Sequence, residues 1–142
     1  MFTTLAAAHD VKVRFSVTAI TSGYARGLRR EMVCTPLISE EARATAYHEL
    51  GHIVRFDPKI RRHGDQRISP AAELSAWNWA RAQLGPEWTD RMAAQARRCL
   101  ATYVPYADTT ERAGFAEWGV TPAPDARTTA YFERYLTLKG IL

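Results

Sequence analysis

Three residues in the first half of the chain, His48, Glu49 and His52, have the residue types and the spacing of a metal site. On an α-helix, residues four positions apart lie on the same face, one turn apart. Two imidazoles in this arrangement can bind one ion and supply two corners of a tetrahedral zinc site. A glutamate directly after the first histidine lies close enough to take a proton from a metal-bound water without ligating the ion. The pattern H-E-x-x-H therefore predicts zinc-assisted hydrolysis, with Glu49 as the general base.

A catalytic zinc site usually needs a third protein ligand in addition to the two histidines. The metzincin pattern is excluded, because Arg55 and Pro58 occupy the positions of its glycine and its third histidine. The remaining candidates further along the chain are Asp57, His63, Asp65 and Glu73.

Glu73 is the favoured third ligand, because it lies in the first turn of the next predicted helix. Ala76 and Ala80 follow it at i+3 and i+7 on the same helix face. Small side chains allow two helices to approach closely, and a glutamate needs that approach in order to reach the ion. Gly51 on the motif helix is expected to allow a neighbouring element to pack closely as well.

The composition of the whole chain is that of one soluble globular domain covering residues 1–142, with 46% hydrophobic and 24% charged residues. The net charge of +4 comes from dispersed arginines, which disfavours a nucleic-acid interface. Cys34 and Cys99 form no disulfide or metal-binding pattern and are predicted to be buried free thiols of a cytoplasmic protein. No apolar stretch approaches the ~20 residues that span a membrane.

The N-terminal part of the chain predicts a small sheet. Residues 11–18 alternate apolar and polar side chains, as in a half-buried strand, whereas the residues before them predict only a short or frayed segment. Residues 28–34 predict a second strand, in which Arg30 interrupts the apolar face and indicates an edge strand. An extended peptide substrate could pair with that edge by β-augmentation.

Five helices are predicted after the sheet, each preceded by a residue that can cap its N-terminus. The predicted caps are Ser39, Ser69, Thr89, Asp108 and Asp125, and the helices cover residues 40–56, 70–84, 90–103, 109–118 and 126–138. The first helix carries the motif, and residues 58–69 are predicted to form an exposed loop near the site. The fold class is therefore α+β, with a small N-terminal antiparallel or mixed sheet followed by a mainly helical body. The helix tryptophans, Trp77 among them, are predicted to be core residues.

The run Tyr47-His48-Glu49-Leu50-Gly51-His52, followed by Glu73-x-x-Ala76-x-x-Trp79-Ala80, resembles the gluzincin metallopeptidases, in particular small domains of the ImmA/IrrE type. The resemblance spans roughly residues 28–84 and implies a zincin-like fold. It implies that His48, His52 and Glu73 bind zinc, and that Glu49 is the catalytic base in the cleavage of a protein or peptide substrate. Trp77 departs from the family pattern, in which asparagine is frequent at that position.

Two alternatives stay open from the sequence. The segment around His48 also resembles the peptidase domain of FtsH-type proteases, in which a later aspartate is the third ligand, and Asp90 is the matching candidate here. The chain could also be a zincin-fold module, borne by a phage or mobile element, that binds zinc but acts through protein contact. An intact Glu49 favours the enzyme, because a binding module does not need a base. His63, Tyr103 and Tyr106 are candidate donors to the oxyanion formed during hydrolysis.

Overall fold

The computed structural model of the protein describes residues 1–17, 23–56 and 69–120. These residues form five α-helices and three strands, joined in part by short 3-10 turns. In chain order the elements are α1 (Phe2–Ala8), β1 (Lys12–Phe15), β2 (Gly23–Arg26), β3 (Glu31–Cys34), α2 (Glu40–Val54), α3 (Pro70–Leu84), α4 (Asp90–Ala101) and α5 (Thr109–Glu117). The predicted α+β class, with the sheet preceding the helical body, is confirmed for the described residues.

The sheet is mixed, and its strand order is β1-β3-β2. The central strand β3 pairs parallel with β1 and antiparallel with β2. Val13, Met32 and Ala25 are register partners across the three strands and belong to the side of the sheet that packs into the core. Helix α2 lies against β2 and β3, so the sheet supports the helix that carries the motif.

The prediction of an edge strand over residues 28–34 is wrong. The strand begins at Glu31 and is central, so both of its hydrogen-bonding edges are occupied and cannot receive a substrate peptide. Residues 27–29 form a 3-10 turn, and Arg30 has a φ of +49°, in the left-handed region. The Arg30 guanidinium donates hydrogen bonds to the carbonyl of His9. Arg30 therefore interrupts the apolar pattern because it forms a turn, and not because it protects an exposed edge.

The N-terminal segment forms the helix α1 rather than a frayed end. Phe2 and Ala6, four residues apart on one face, are both buried, and the Phe2 ring lies 5.1 Å from that of Tyr47 on α2. Burial of this face against α2 offsets the low stability of a helix of only 7 residues. The predicted first strand is also shorter than expected and ends at Phe15.

The starts of four predicted helices are confirmed by their caps. The side chains of Ser39, Ser69, Thr89 and Asp108 each accept a hydrogen bond from a backbone N–H in the first turn of α2, α3, α4 and α5. The end of α3 at Leu84 is as predicted, whereas α2, α4 and α5 end one or two residues early. The predicted helix over residues 126–138 and most of the predicted loop over 58–69 lie outside the described residues.

The core lies between the sheet and the helices, and all five helices contribute buried side chains to it. Its largest fully buried side chains include Trp77, Phe115, Met32, Leu50 and Met92. None of the described helices is long and apolar enough to cross a membrane.

Candidate metal centre

Helix α2 places His48 and His52 on one face, as the i, i+4 spacing requires. Their Nε2 atoms lie 3.0 Å apart, and the ring planes are inclined at 77°. The His48 side chain is 8% exposed and that of His52 is 24% exposed, so the pair lies at the base of the site with one side open to solvent. Both imidazoles therefore direct a nitrogen to the same point.

Glu73, in the first turn of α3, brings a carboxylate to this point. Its Oε2 lies 3.2 Å from His48 Nε2, and its Oε1 lies 3.0 Å from His52 Nε2. The Glu73 side chain is only 13% exposed. Of the two sequence candidates for a third ligand that the structure describes, Glu73 joins the histidines and Asp90, at the start of α4, does not. The other candidates, Asp57, His63 and Asp65, lie outside the described residues.

The spacing of the three donor atoms fits a metal ion. Zinc binds nitrogen and carboxylate oxygen at about 2.0–2.2 Å, and tetrahedral geometry then separates neighbouring donors by about 3.3 Å. The two Nε2 atoms are 3.0 Å apart, and each lies 3.0–3.2 Å from a different oxygen of the Glu73 carboxylate. The group formed by His48, His52 and Glu73, whose ligand atoms all lie within 4.8 Å of one another, could therefore hold a metal ion.

Close packing of α2 on α3 makes this arrangement possible. A Cβ atom added to Gly51 would lie 2.8 Å from the backbone oxygen of Ala76 and 3.3 Å from a ring carbon of Trp79. Ala76 and Ala80 are fully buried. The close approach that the sequence predicted at Gly51 and along the alanine stripe is confirmed, and it brings the short Glu73 side chain within reach of both imidazoles.

Electrostatic coupling between the ligands shifts their protonation. Burial opposes the charged form of His52, but the Glu73 carboxylate and its hydrogen bond raise the pKa of His52 to about 9. Burial likewise opposes ionisation of Glu73, but the two histidines hold the pKa of this carboxyl well below its usual range. In the metal-free protein, an imidazolium at His52 is therefore paired with an ionised Glu73.

Glu49 provides a second, separate carboxylate beside the three ligands. It is half-buried and has neither a hydrogen-bond partner nor an ion-pair partner within residues 1–17, 23–56 and 69–120. Its charge contributes to the raised pKa of His52 and, after burial, to that of Cys34. Glu49 thus lies close enough for its charge to act on the site.

Tyr103, which follows α4, contacts Glu73. Its side chain is hydrogen-bonded to Glu73, and burial together with the Glu73 charge raises the pKa of the phenol far above its ordinary value. The hydroxyl therefore keeps its proton and donates a hydrogen bond to the carboxylate. The sequence indicated Tyr103 as a candidate donor to the oxyanion, which stays a prediction, whereas the hydrogen bond in the structure is to Glu73.

Trp77 is the residue of the site whose role the sequence did not indicate. It is fully buried, as predicted for a core residue, but its indole stacks on the His48 imidazole, with ring centroids 4.1 Å apart and planes inclined at 23°. Trp77 lies four residues after Glu73, on the same face of α3. This spacing is the signal that could have placed it beside the ligands.

A scan of protein-family models, a search of curated proteins and a search of solved structures each gave no match for this chain. The chemistry inferred for the site therefore depends on its own side chains and distances.

Proposed function

We propose that this protein is a zinc-dependent metallopeptidase with a zincin-like fold, of the gluzincin type. The observation that carries the proposal is the group of donor atoms from His48, His52 and Glu73, with the Glu49 carboxylate beside it, which has no ion-pair partner in the part of the chain that the structure describes. Two histidines and one glutamate are an established donor set of catalytic zinc, with a fourth position open for water or substrate. The solvent-exposed side of His52 is consistent with such an opening.

Zinc is the proposed ion because the donor set combines two neutral imidazoles with one carboxylate. Imidazole nitrogen suits zinc, whereas magnesium and calcium prefer oxygen ligands. Both cysteines are free thiols and lie outside this donor set. Free thiols also fit a reducing compartment, so the proposed location is the cytoplasm.

The proposed mechanism assigns a distinct task to each residue. Zinc, when bound, polarises the scissile carbonyl and makes a water molecule more acidic. Glu49 accepts the proton of the attacking water and passes it to the leaving nitrogen. His48, His52 and Glu73 hold the ion in place, and Tyr103 orients Glu73 through its hydroxyl. The substrate is a peptide bond in a protein or peptide.

The decisive experiment compares metal content and hydrolysis in three variants. Elemental analysis should find about one zinc ion per chain in the wild type and in Glu49→Gln, and none in Glu73→Ala. Incubation with a mixed synthetic peptide library, followed by mass spectrometry, should give cleavage products with the wild type only. Glu117→Gln, a change of an exposed carboxylate on α5, is the matched control and should retain both zinc and hydrolysis.

Two results would count against the proposal in different ways. A wild-type protein that takes up no zinc after reconstitution would contradict the metal centre itself. A second result would be a wild-type protein that behaves like Glu49→Gln, binding zinc but cleaving no member of the library. That result would favour the alternative of a zinc-binding module that acts through protein contact.

A further inference from the structure

We propose that Trp77 is a positioning residue, which holds the His48 imidazole in its ligating orientation by stacking. The inference rests on the proposed metal centre and extends it to a residue that binds no metal. The two rings lie 4.1 Å apart and nearly parallel, at 23°, which is contact over the faces of both rings.

Stacking on Trp77 takes the place of the hydrogen bond that usually fixes the ring of a metal-binding histidine. The ring nitrogen that does not face the metal normally donates a hydrogen bond to a carboxylate or carbonyl, and this bond fixes the ring. His48 Nδ1 is buried and has no such partner in the described part of the chain. Among those residues, the indole of Trp77 is the group that lies flat against the His48 ring and can oppose its rotation.

The chemistry of Trp77 also favours a role other than filling space. Its Nε1 is buried and has no hydrogen-bond partner within the described ranges. A buried indole N–H without a partner destabilises the fold, whereas an aliphatic side chain would fill the core without this cost. What the indole supplies and an aliphatic chain does not is a broad flat face, and that face lies on His48.

Trp77 and Glu73 both lie on α3, so this one helix contacts the site at two points. Glu73 and Trp77 are one turn apart, so a single helix supplies both the third ligand and the support of the first. Displacement of α3 would therefore disturb His48 and Glu73 together. Loss of the stacking alone should free the His48 ring while Glu73 stays in place.

The test compares Trp77→Leu with Trp77→Phe, which retains a ring face. The zinc dissociation constant, measured by competition with a chromophoric chelator, should rise about 10- to 100-fold in Trp77→Leu. In Trp77→Phe it should rise no more than about threefold, because a phenyl ring can still stack on His48. Trp118→Leu is the matched control: Trp118 is also buried, but its indole contacts Trp88, Arg81 and Asn78, so its loss should leave zinc affinity unchanged.

A second measurement on the metal-free protein does not depend on zinc. In NMR spectra, the His48 ring protons should show an upfield shift from the indole ring current in the wild type. This shift should vanish in Trp77→Leu and persist in Trp118→Leu. It reports the orientation of the ring directly and is insensitive to a uniform loss of stability.

The outcomes separate the inference from the proposed function. Equal zinc affinity in wild type and folded Trp77→Leu would overturn the positioning role but leave the metal centre intact. A loss of affinity in Trp77→Phe as large as in Trp77→Leu would also overturn it, because ring stacking would then not be the cause. A wild type without zinc affinity would overturn both. Should Trp77→Leu fail to fold, the affinity of Trp77→Phe and the wild-type ring-proton shift decide the matter: absence of that shift contradicts stacking in solution.

Discussion

Gly51 on α2 and Ala76 on α3 touch through their backbones, since a Cβ atom at position 51 would lie 2.8 Å from the Ala76 oxygen and 3.1 Å from its Cα. Backbone atoms cannot move aside as a flexible side chain can. The contact therefore sets the distance between the helix that carries the two histidines and the helix that carries Glu73. The 3.0–3.2 Å separations within the candidate metal centre depend on this distance.

Gly51→Ala should weaken both the fold and metal binding. Alanine is a better helix former than glycine by about 1 kcal/mol, but the new methyl group must push α3 away. We expect a net loss of about 1–3 kcal/mol in the free energy of unfolding and a clear loss of zinc affinity. Urea denaturation and chelator competition measure the two effects.

Gly114→Ala on α5 is the matched control for this change. A Cβ there would lie 2.9 Å from a terminal methyl of Leu74, which can shift its position. Stability should change little and zinc affinity not at all. If Gly51→Ala were as well tolerated as Gly114→Ala, the close contact would not determine the geometry of the site.

The metal-free protein should lose stability as the pH rises from 6.5 to 9. The pKa of His52 is raised from 6.5 to about 9 in the folded state, so its contribution is complete below pH 6.5 and is lost as the pH rises through 9. The raised pKa corresponds to a contribution of at most about 3 kcal/mol. Glu73 acts in the opposite direction: its pKa is lowered from 4.5, so its contribution is present above pH 4.5 and is lost in acid.

Urea denaturation with a chelator present, at pH 5.5, 7.5 and 9, measures this dependence. Glu73→Gln should remove most of the decline between pH 6.5 and 9, because the charge that raises the pKa of His52 is gone. A wild-type protein whose stability stays constant over this range would show that His52 and Glu73 are not coupled as described. Saturating zinc should also abolish the decline, since the ion takes the place of the proton.

Tyr103→Phe should lower zinc affinity without emptying the site. The substitution removes the hydroxyl that donates to Glu73 but keeps the ring. Loss of a hydrogen bond to a ligand reduces metal affinity by about 10- to 100-fold. Chelator competition measures the effect, and Tyr24→Phe, on a tyrosine that is 38% exposed in β2, serves as the control and should match the wild type. Unchanged affinity in Tyr103→Phe would mean that the hydroxyl does not orient the ligand.

Cys34 is buried as predicted, whereas Cys99 is only half-buried, so the prediction of two buried thiols is wrong for Cys99. Both thiols should nevertheless be unreactive in the folded protein. Burial, followed by the nearby carboxylates, raises the pKa of Cys34 to about 11 and that of Cys99 to about 12. At pH 8 about one thiol in a thousand or fewer is then ionised, and the thiolate is the reactive form. A disulfide reagent such as DTNB should therefore react slowly with native protein and rapidly with both cysteines in denaturant. Fast labelling of native protein would contradict this burial.

The sequence was sufficient for those features that depend on neighbouring residues along one helix. The caps at Ser39 and Ser69 were predictable because a short polar side chain satisfies N–H groups two or three residues away. His48 and His52 share a face for the same local reason. Glu73 could be selected as a candidate because the alanines on its face indicated that α3 would pack closely.

The order of the strands was not predictable from the same patterns. Strand β2 has only four residues, begins at a glycine and was not recognised. Arg30 was interpreted as a charge on an edge strand. In the structure its left-handed backbone ends a turn, and its guanidinium donates a hydrogen bond to the carbonyl of His9. Pairing between strands joins residues distant in the chain, and short strands carry too few side chains to specify their partners.

The sequence by itself therefore determined the donor types, their spacing on α2 and the placement of Glu49, the proposed base, beside them, because helical periodicity connects residues at fixed short distances. Only the tertiary structure decided that the Glu73 carboxylate meets both imidazoles, that Tyr103 donates to it and that Trp77 stacks on His48. These contacts cross between helices, and their geometry follows from how closely Gly51 and Ala76 allow the backbones to approach. The small residues indicate that the two helices approach closely, but which side chains then meet is decided by the packed core.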